Sequence, residues 1–260
     1  MMEATAPPKA GWQYWLERWE AQQSGLVHIR NERFQMMLDV VDVLFDQRPF
    51  VVLDLASGPG AISRRVLDRF PLARCVAVDF DPVLLAIGRS ALGGMNGRLR
   101  FVEANLQEDD WAAKLGEEQF DAVLTTTALH WLTPDGLVRV YRKLGELVRP
   151  GGVLLNGDNM HFPPRLETIR RINDAVLARW RDAQKSPAGA DSWDGWWKAV
   201  ADDPALAKLH AERERRFTWR HTNEYRPGIE VHRAILEEAG FREVDTLMQH
   251  AQNRVLIAVR

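Results

Sequence analysis

The spacing of apolar and polar positions changes period at Pro49. Before it, residues 12–47 follow a helical rhythm: Trp12, Trp15 and Trp19 recur at spacings of three and four, and Gln13, Glu17 and Glu20 take another face. That polar face mixes charges and lacks the Lys/Arg excess of a membrane-surface helix, so the aromatic stripe is expected to pack on the protein itself or over a ligand. After Pro49, short apolar runs alternate with amphipathic ones: FVVLDL, AISRRVLDRF, CVAVDF, PVLLAIGRSAL and RLRFVEA. FDAVLT follows, then a helix from about Pro134 to Val148 opened by Thr133 and Pro134, then GVLLNGD after the turn Arg149-Pro150-Gly151-Gly152. This alternation predicts a parallel sheet with crossover helices.

Residues 159–228 leave the alternation. A helix from Arg165 to about Ala183 carries Leu166, Ile169, Ile172, Val176 and Trp180 on one side, and a stretch rich in Trp, Gly and Pro follows, as expected of an insertion or cap. The helix IEVHRAILEEAG, closed by Gly240, then precedes FREVDTLMQH and RVLIAVR, which are close enough to pair as an antiparallel hairpin at the end of the sheet.

Composition narrows the class. With 260 residues, 46% hydrophobic and 27% charged, the chain has the material for a full globular core, which excludes disordered and fibrous classes. The single Cys75 opens the apolar run CVAV, which points to a packed thiol in a reducing compartment, the cytoplasm. The first residues, MMEATAPPKAGWQYW, lack the pattern of a signal peptide, and the apolar runs are strand length, so no export and no membrane crossing are expected. A net charge of −2 gives no general attraction to a phosphate backbone, and the run Glu212-Arg213-Glu214-Arg215-Arg216 reads as a solvated helix face; nucleic acid is not an expected partner. The seven His are scattered and a lone Cys cannot build a thiolate zinc site, so no metal is expected either.

The most informative stretch is Asp54-Leu55-Ala56-Ser57-Gly58-Pro59-Gly60, where a strand runs through a small-residue loop into a helix. A nicotinamide or flavin site places G-x-G-x-x-G here, but its third position is Ser63, and an acid stands four residues before Gly58. The acid-x-small-x-Gly-x-Gly pattern resembles the first motif of the class I S-adenosylmethionine-dependent methyltransferases. Downstream positions agree with that resemblance: CVAVDFDP ends in Asp79, LRFVEANL reaches Asn105, and FDAVLTTTALHWL and LVRPGGVLLNGD look like the family's fourth- and fifth-strand segments. The resemblance covers residues 49–158 in order, plus the terminal hairpin.

The resemblance implies a Rossmann-like, doubly wound α/β fold: a mostly parallel seven-stranded sheet with an antiparallel C-terminal hairpin, N-terminal helices and a helical insertion after the fifth strand. The implied division is an N-terminal helical cap at 1–48, a cofactor-binding core at 49–158 and 229–260, and a helical cap at 159–228. It implies S-adenosylmethionine as cofactor, held by Asp54, Ala56, Ser57, Gly58, Gly60, Asp79, Phe80, Asn105, Leu106 and Thr126, with Asp79 on the ribose and Asn105 in place of the family's adenine-binding Asp. Ala56 departs from the family's first motif glycine. Each residue also has a purely structural reading: Asp54 can cap the following helix, Asp79 can end a strand before Asp81-Pro82, and the glycines can form an ordinary turn.

On the acceptor side, His130 follows the fourth strand and is the candidate base, with His161 a weaker one and Asp158 a possible lining residue. His28 and Arg33 fall on the second N-terminal helix, where Arg33 can either pair with the cofactor's carboxylate or belong to a solvated, salt-bridged face. Thr125-Thr126-Thr127-Ala128 replaces the motif of enzymes that methylate base amines, which leaves a small, apolar or aromatic acceptor methylated at oxygen, nitrogen or carbon. The competing readings are a nicotinamide-dependent oxidoreductase and a non-catalytic protein that binds the cofactor or its demethylated product. Of ten Trp, only Trp111 and Trp131 lie within 49–158, so the others are expected to form an aromatic lid or acceptor pocket.

Overall fold

A computed structural model describes residues 11–116, 119–183, 189–218 and 227–260. Two helices, α1 (Trp12–Leu26) and α2 (Arg30–Phe45), lead into β1 (Phe50–Leu55), α3 (Ala61–Arg69), β2 (Ala73–Asp79), α4 (Pro82–Leu92) and β3 (Leu99–Glu103). After them come β4 (Phe120–Thr126), α5 (Pro134–Leu147), β5 (Val148–Asn159), α6 (Glu167–Ala183), α7 (Trp193–Asp202) and α8 (Ala207–Arg216). The chain closes with α9 (Ile229–Glu238), β6 (Glu243–His250) and β7 (Asn253–Val259).

The seven strands form one sheet in the order β3-β2-β1-β4-β5-β7-β6. β1 to β5 run parallel, and β7 lies antiparallel between β5 and β6. Every residue of β1 is buried, as a central parallel strand covered on both faces requires. One face is closed by α5 and α9 through Tyr141, Leu144 and Leu236, with Phe241 from the connection after α9. The other is closed by α2 and α3 through Phe34, Met37, Ile62 and Val66. A third cluster joins α1, α4 and α7, where Trp15, Trp19, Trp196 and Trp197 meet Val83 and Ile87.

Helix starts follow local chemistry. Asp81 accepts from the N–H of Val83 and of Leu84 ahead of Pro82, and Thr133 accepts from the N–H of Gly136 behind Pro134. Strand order reverses between β1 and β4, and in sheets of this kind a crevice opens beyond the carboxyl ends of the strands at that point.

Three expectations need correction in detail. The helical run 12–47 is broken at Val27–Ile29, where Ile29 takes a left-handed φ of 53°, so His28 sits in the connection and not on α2. β3 stops at Glu103, which leaves Asn105 in the loop after it. The apolar side expected for α6 is not buried: Ile169 is 44% and Ile172 56% exposed. α6 is tied down by polar and ring contacts, Asn173 to Gln252 at 3.0 Å and Trp180 stacked on His250 at 3.9 Å.

Gly88 fixes how closely α4 approaches the loop after β1, since a Cβ there would lie 2.7 Å from the Pro59 carbonyl oxygen and 2.9 Å from the Phe101 ring. Gly88→Ala is expected to cost about 1–3 kcal/mol by overpacking. The measurement is the thermal unfolding midpoint, and an unchanged midpoint would show that α4 can retreat from the loop freely.

Candidate cofactor and acceptor cleft

At the reversal point a cleft of about 320 Å³ opens beyond the ends of β1, β2 and β4. Asp54, at the end of β1, is fully buried. Its Oδ2 accepts from the Ser63 backbone N–H at 2.8 Å and from the Ser63 hydroxyl at 2.7 Å, so it caps the first turn of α3. Its Oδ1 is buried with no partner among the described residues. Burial pushes the Asp54 carboxyl up to about 7 against the pull of the Ser63 bonds, and the nearby Asp79 adds to the rise.

The loop from β1 turns back on itself through left-handed residues, Ala56 at φ 56°, Gly58 at 55° and Gly60 at 89°. Asp79 ties this loop to the end of β2: Oδ2 accepts from Gly58 N–H at 2.7 Å, and Oδ1 accepts from the N–H of Phe80 at 2.7 Å and of Asp81 at 2.8 Å. Burial also raises Asp79, to about 6. Ser57 and Phe80 line the cleft, with Asn105 and Leu106 after β3 and Thr126 at the end of β4. Asn105 Oδ1 accepts from Gln107 N–H at 3.1 Å, and the Thr126 hydroxyl donates to the Gly157 carbonyl at 2.8 Å.

The 3₁₀ turn Leu129–Trp131 carries His130 into the same cleft. β4 and β5 pair with Thr126 opposite Gly157, which sets Asp158 beside the segment leaving β4. His130 Nδ1 lies 2.7 Å from Asp158 Oδ1, and His130 N–H donates to Asp158 Oδ2 at 3.2 Å. Burial pushes Asp158 upward, but His130 and Arg33 outweigh it and hold this carboxyl at about 2. An ionised Asp158 keeps the imidazole proton on Nδ1 and leaves Nε2 as the basic atom.

The other sequence candidates lie elsewhere. Arg33 is buried and outside the cleft wall, where it donates to Thr127 Oγ1 at 3.2 Å, Gly157 O at 3.3 Å and Asn159 Oδ1 at 3.2 Å, and also to Asn253 Oδ1. It therefore braces the ends of β5 and β7 from behind and forms no solvated face. His161 and His28 are also outside the wall, His28 being stacked with Trp180 at 4.7 Å. Trp19, Trp131, Trp193 and Trp197 line the cleft, while Trp12, Trp15 and Trp196 pack behind it and Trp219 lies outside the described residues.

Sequence reasoning missed the cations of the wall. Arg30 is clamped by Glu20 at 2.8 and 3.0 Å, Glu20 also holds Arg65 at 2.8 Å, and Arg213 pairs with Asp81 at 2.6 Å. Burial raises Glu20, yet Arg30 and Arg65 hold it at about 2. Partners so far apart in sequence leave no local signature.

Comparison with known proteins gives a match of residues 52–152 to the family model described as a methyltransferase domain. Residues 52–152 thus match a methyltransferase domain, and the chain is similar over about half to two thirds of its length to curated methyltransferases, in support of the class I S-adenosylmethionine-dependent family. A trans-aconitate 2-methyltransferase of Rhodopseudomonas palustris is 30% identical over 173 residues, 65% of this chain and 61% of that protein. A demethylmenaquinone methyltransferase of Thermus thermophilus is 33% identical over 127 residues, 48% of this chain and 52% of that protein. The chain thus spans between half and two thirds of the length of these curated relatives. Among solved structures, an O-methyltransferase family protein from Burkholderia thailandensis superposes with a TM-score of 0.54 at 18% identity, covering 96% of this chain and 70% of the other. Human N-acetylserotonin methyltransferase, solved with S-adenosylmethionine, gives 0.52 at 16% identity, covering 95% and 66%. These structural likenesses carry the fold of the methyltransferase core.

Ala56 stands in a backbone conformation that disfavours a Cβ by about 1–2 kcal/mol. Ala56→Gly is therefore expected to stabilise the protein by up to about 1 kcal/mol after the entropy cost of glycine is subtracted, measured by denaturant unfolding; a loss of stability would show that the Ala56 methyl packs favourably.

The raised carboxyls set a pH dependence. Each is more easily protonated folded than unfolded, so its contribution to stability is complete below its unfolded value and lost as pH rises through its folded value. With folded values of about 7 for Asp54 and about 6 for Asp79 against an unfolded value of 3.8, the ligand-free protein is expected to lose stability between about pH 4 and 7. Asp54→Asn should flatten that decline in pH-dependent thermal unfolding, and an unaltered slope would remove Asp54 as its source.

Proposed function

We propose that the protein transfers the methyl group of S-adenosylmethionine to a neutral small molecule with an apolar or aromatic body. The observation that carries this reading is the convergence of the Asp158–His130 pair and the carboxylates Asp54 and Asp79 on one cleft. Asp54, the loop residues Ala56, Ser57, Gly58 and Gly60, Asp79, Phe80, Asn105, Leu106 and Thr126 would hold the cofactor. The buried, unpartnered Asp54 Oδ1 fits such a ligand, because an orphaned buried acceptor costs about 1–3 kcal/mol until a donor reaches it. When bound, S-adenosylmethionine supplies an electrophilic methyl group on a sulfonium cation.

His130 Nε2 would take the proton of the acceptor atom, with Asp158 holding the ring through Nδ1 and stabilising the imidazolium that forms. Trp19, Trp193 and Trp197 would cover the acceptor and exclude water. Relatives are named for trans-aconitate, a polyanion, but an anionic acceptor needs an uncommitted cation. Among the described residues of the wall the Arg cations are Arg30 and Arg213, and each is already paired with a carboxylate, the half-buried Glu20 and the buried Asp81. That supports a neutral acceptor here.

Calorimetric titration with S-adenosylhomocysteine tests the cofactor reading: binding by the unaltered protein is expected, weakened tenfold or more, about 1.4 kcal/mol, in Asp79→Ala. His130→Ala should keep that affinity while turnover falls by about 10²–10⁴; undiminished turnover removes the base. In a panel of phenolic acceptors and trans-aconitate, faster methylation of trans-aconitate would overturn the neutral-acceptor reading.

A further inference from the structure

Arg213 departs furthest from the solvated face expected of the run Glu212–Arg216, being 4% exposed. Its Nε donates to Asp81 Oδ2 at 2.6 Å, and its guanidinium carbon stands 3.3 Å from the centroid of Trp197. On the far side of Asp81, Oδ1 caps α4, and the Asp81 N–H donates to Asp79 Oδ1. On the far side of Trp197 lie Trp193 at 5.8 Å and Trp19 at 6.2 Å, the aromatic wall of the cleft. A second strap runs beside the first: Arg216 donates to the Phe80 carbonyl at 3.0 Å and to Glu103 at 2.7 Å, and Phe217 leans on Phe80 at 5.4 Å. The α7–α8 segment therefore grips the turn Asp79-Phe80-Asp81 and carries the tryptophans opposite it.

We propose that Arg213 is a positioning residue that couples occupancy of the Asp79–Asp81 turn by a nucleoside to the placement of the tryptophan wall over the acceptor. The inference rests on the methyltransferase reading. Three side chains in series, Asp81, Arg213 and Trp197, link the two halves of the cleft. Anything that donates to Asp79 and stills the turn acts on Asp81 through its backbone and on Trp197 through the stacked guanidinium. A buried ion pair is suited to this role because its geometry is narrow: the planar fork and the ring face fix Arg213 from two directions.

The test is amide hydrogen exchange with and without saturating S-adenosylhomocysteine. In the unaltered protein the ligand is expected to slow exchange across residues 193–216 by about fivefold or more, the lower end of ordinary coupling factors. Arg213→Met alone leaves the Asp81 carboxylate buried without its partner and is expected to destabilise the fold, so two other variants carry the experiment. Asp81→Asn combined with Arg213→Met removes both charges, and Arg213→Lys keeps the pair but loses the fork and the stacking. Both are expected to bind S-adenosylhomocysteine and to protect the loop at residues 54–60, yet to lose most of the ligand-induced protection at 193–216. A purely structural ion pair predicts full protection there in either variant, and that result overturns the coupling, as does unchanged exchange at 193–216 in the unaltered protein with ligand bound. Failure of the unaltered protein to bind the ligand overturns the methyltransferase reading and the coupling with it.

Discussion

A carboxylate without solvent at the end of a central strand must find donors inside the protein, and Asp54 finds them in the first turn of α3. That requirement shapes what surrounds it. For Ser63 to reach Asp54, the chain must leave β1, reverse and start a helix within a few residues, which forces left-handed conformations at Ala56, Gly58 and Gly60. The tight loop turns the Gly58 N–H toward Asp79, so the ends of β1 and β2 are joined through a second carboxylate. α4 can then lie against the loop only through Gly88. The cleft is the space that this arrangement leaves open beyond the strands.

Both carboxylates are held above their ordinary values mainly by burial, so the ligand-free cleft is electrostatically unfavourable to its own ionised acids. A cationic ligand with hydroxyl and amine donors reverses that condition, because it supplies charge and hydrogen bonds where the protein withholds them. The wall that carries Trp19, Trp193 and Trp197 has the opposite character. Its Arg residues are neutralised in advance by Glu20 and Asp81, and its surface is made of indole rings. One half of the cleft is therefore left incomplete toward a cation, and the other is complete and apolar.

What could be read in the sequence was what depends on neighbours along the chain. The alternation after Pro49, the Thr133-Pro134 helix start, the Asp81 cap and the terminal hairpin are local patterns, and the sheet follows them. The structural reading of Asp54 as a helix cap and its candidate binding role coexist, since one oxygen serves each. Contacts between distant segments were not readable: Arg213 lies 132 residues from Asp81, and Asp158 lies 28 from His130. The apolar side of α6 misled for a related reason. Its period is genuine, but the helix is seated by Asn173 and Trp180, leaving Ile169 and Ile172 in solvent. The Trp rings outside residues 49–158 divide between the cleft wall and a packed layer behind it, because a wall one ring thick needs Trp15 and Trp196 to hold Trp19 and Trp197 in place.

Arg33 bears on the proposed chemistry from outside the cleft wall. The sequence leaves it open between a partner for a cofactor carboxylate and a solvated, salt-bridged face; it lies on the far side of the strand ends, and burial lowers its hold on its proton. Its hydrogen-bond partners are all neutral: a hydroxyl, a carbonyl and two amide oxygens. The anion that compensates its charge is Asp158, the same carboxylate that orients His130. A base that works through an Asp–His pair depends on the Asp staying ionised while the ring gains and loses its proton. His130 alone cannot secure that, because its attraction for Asp158 changes with its own charge. A permanent cation behind the sheet can, and Arg33 keeps Asp158 ionised in both states of the imidazole without entering the cleft.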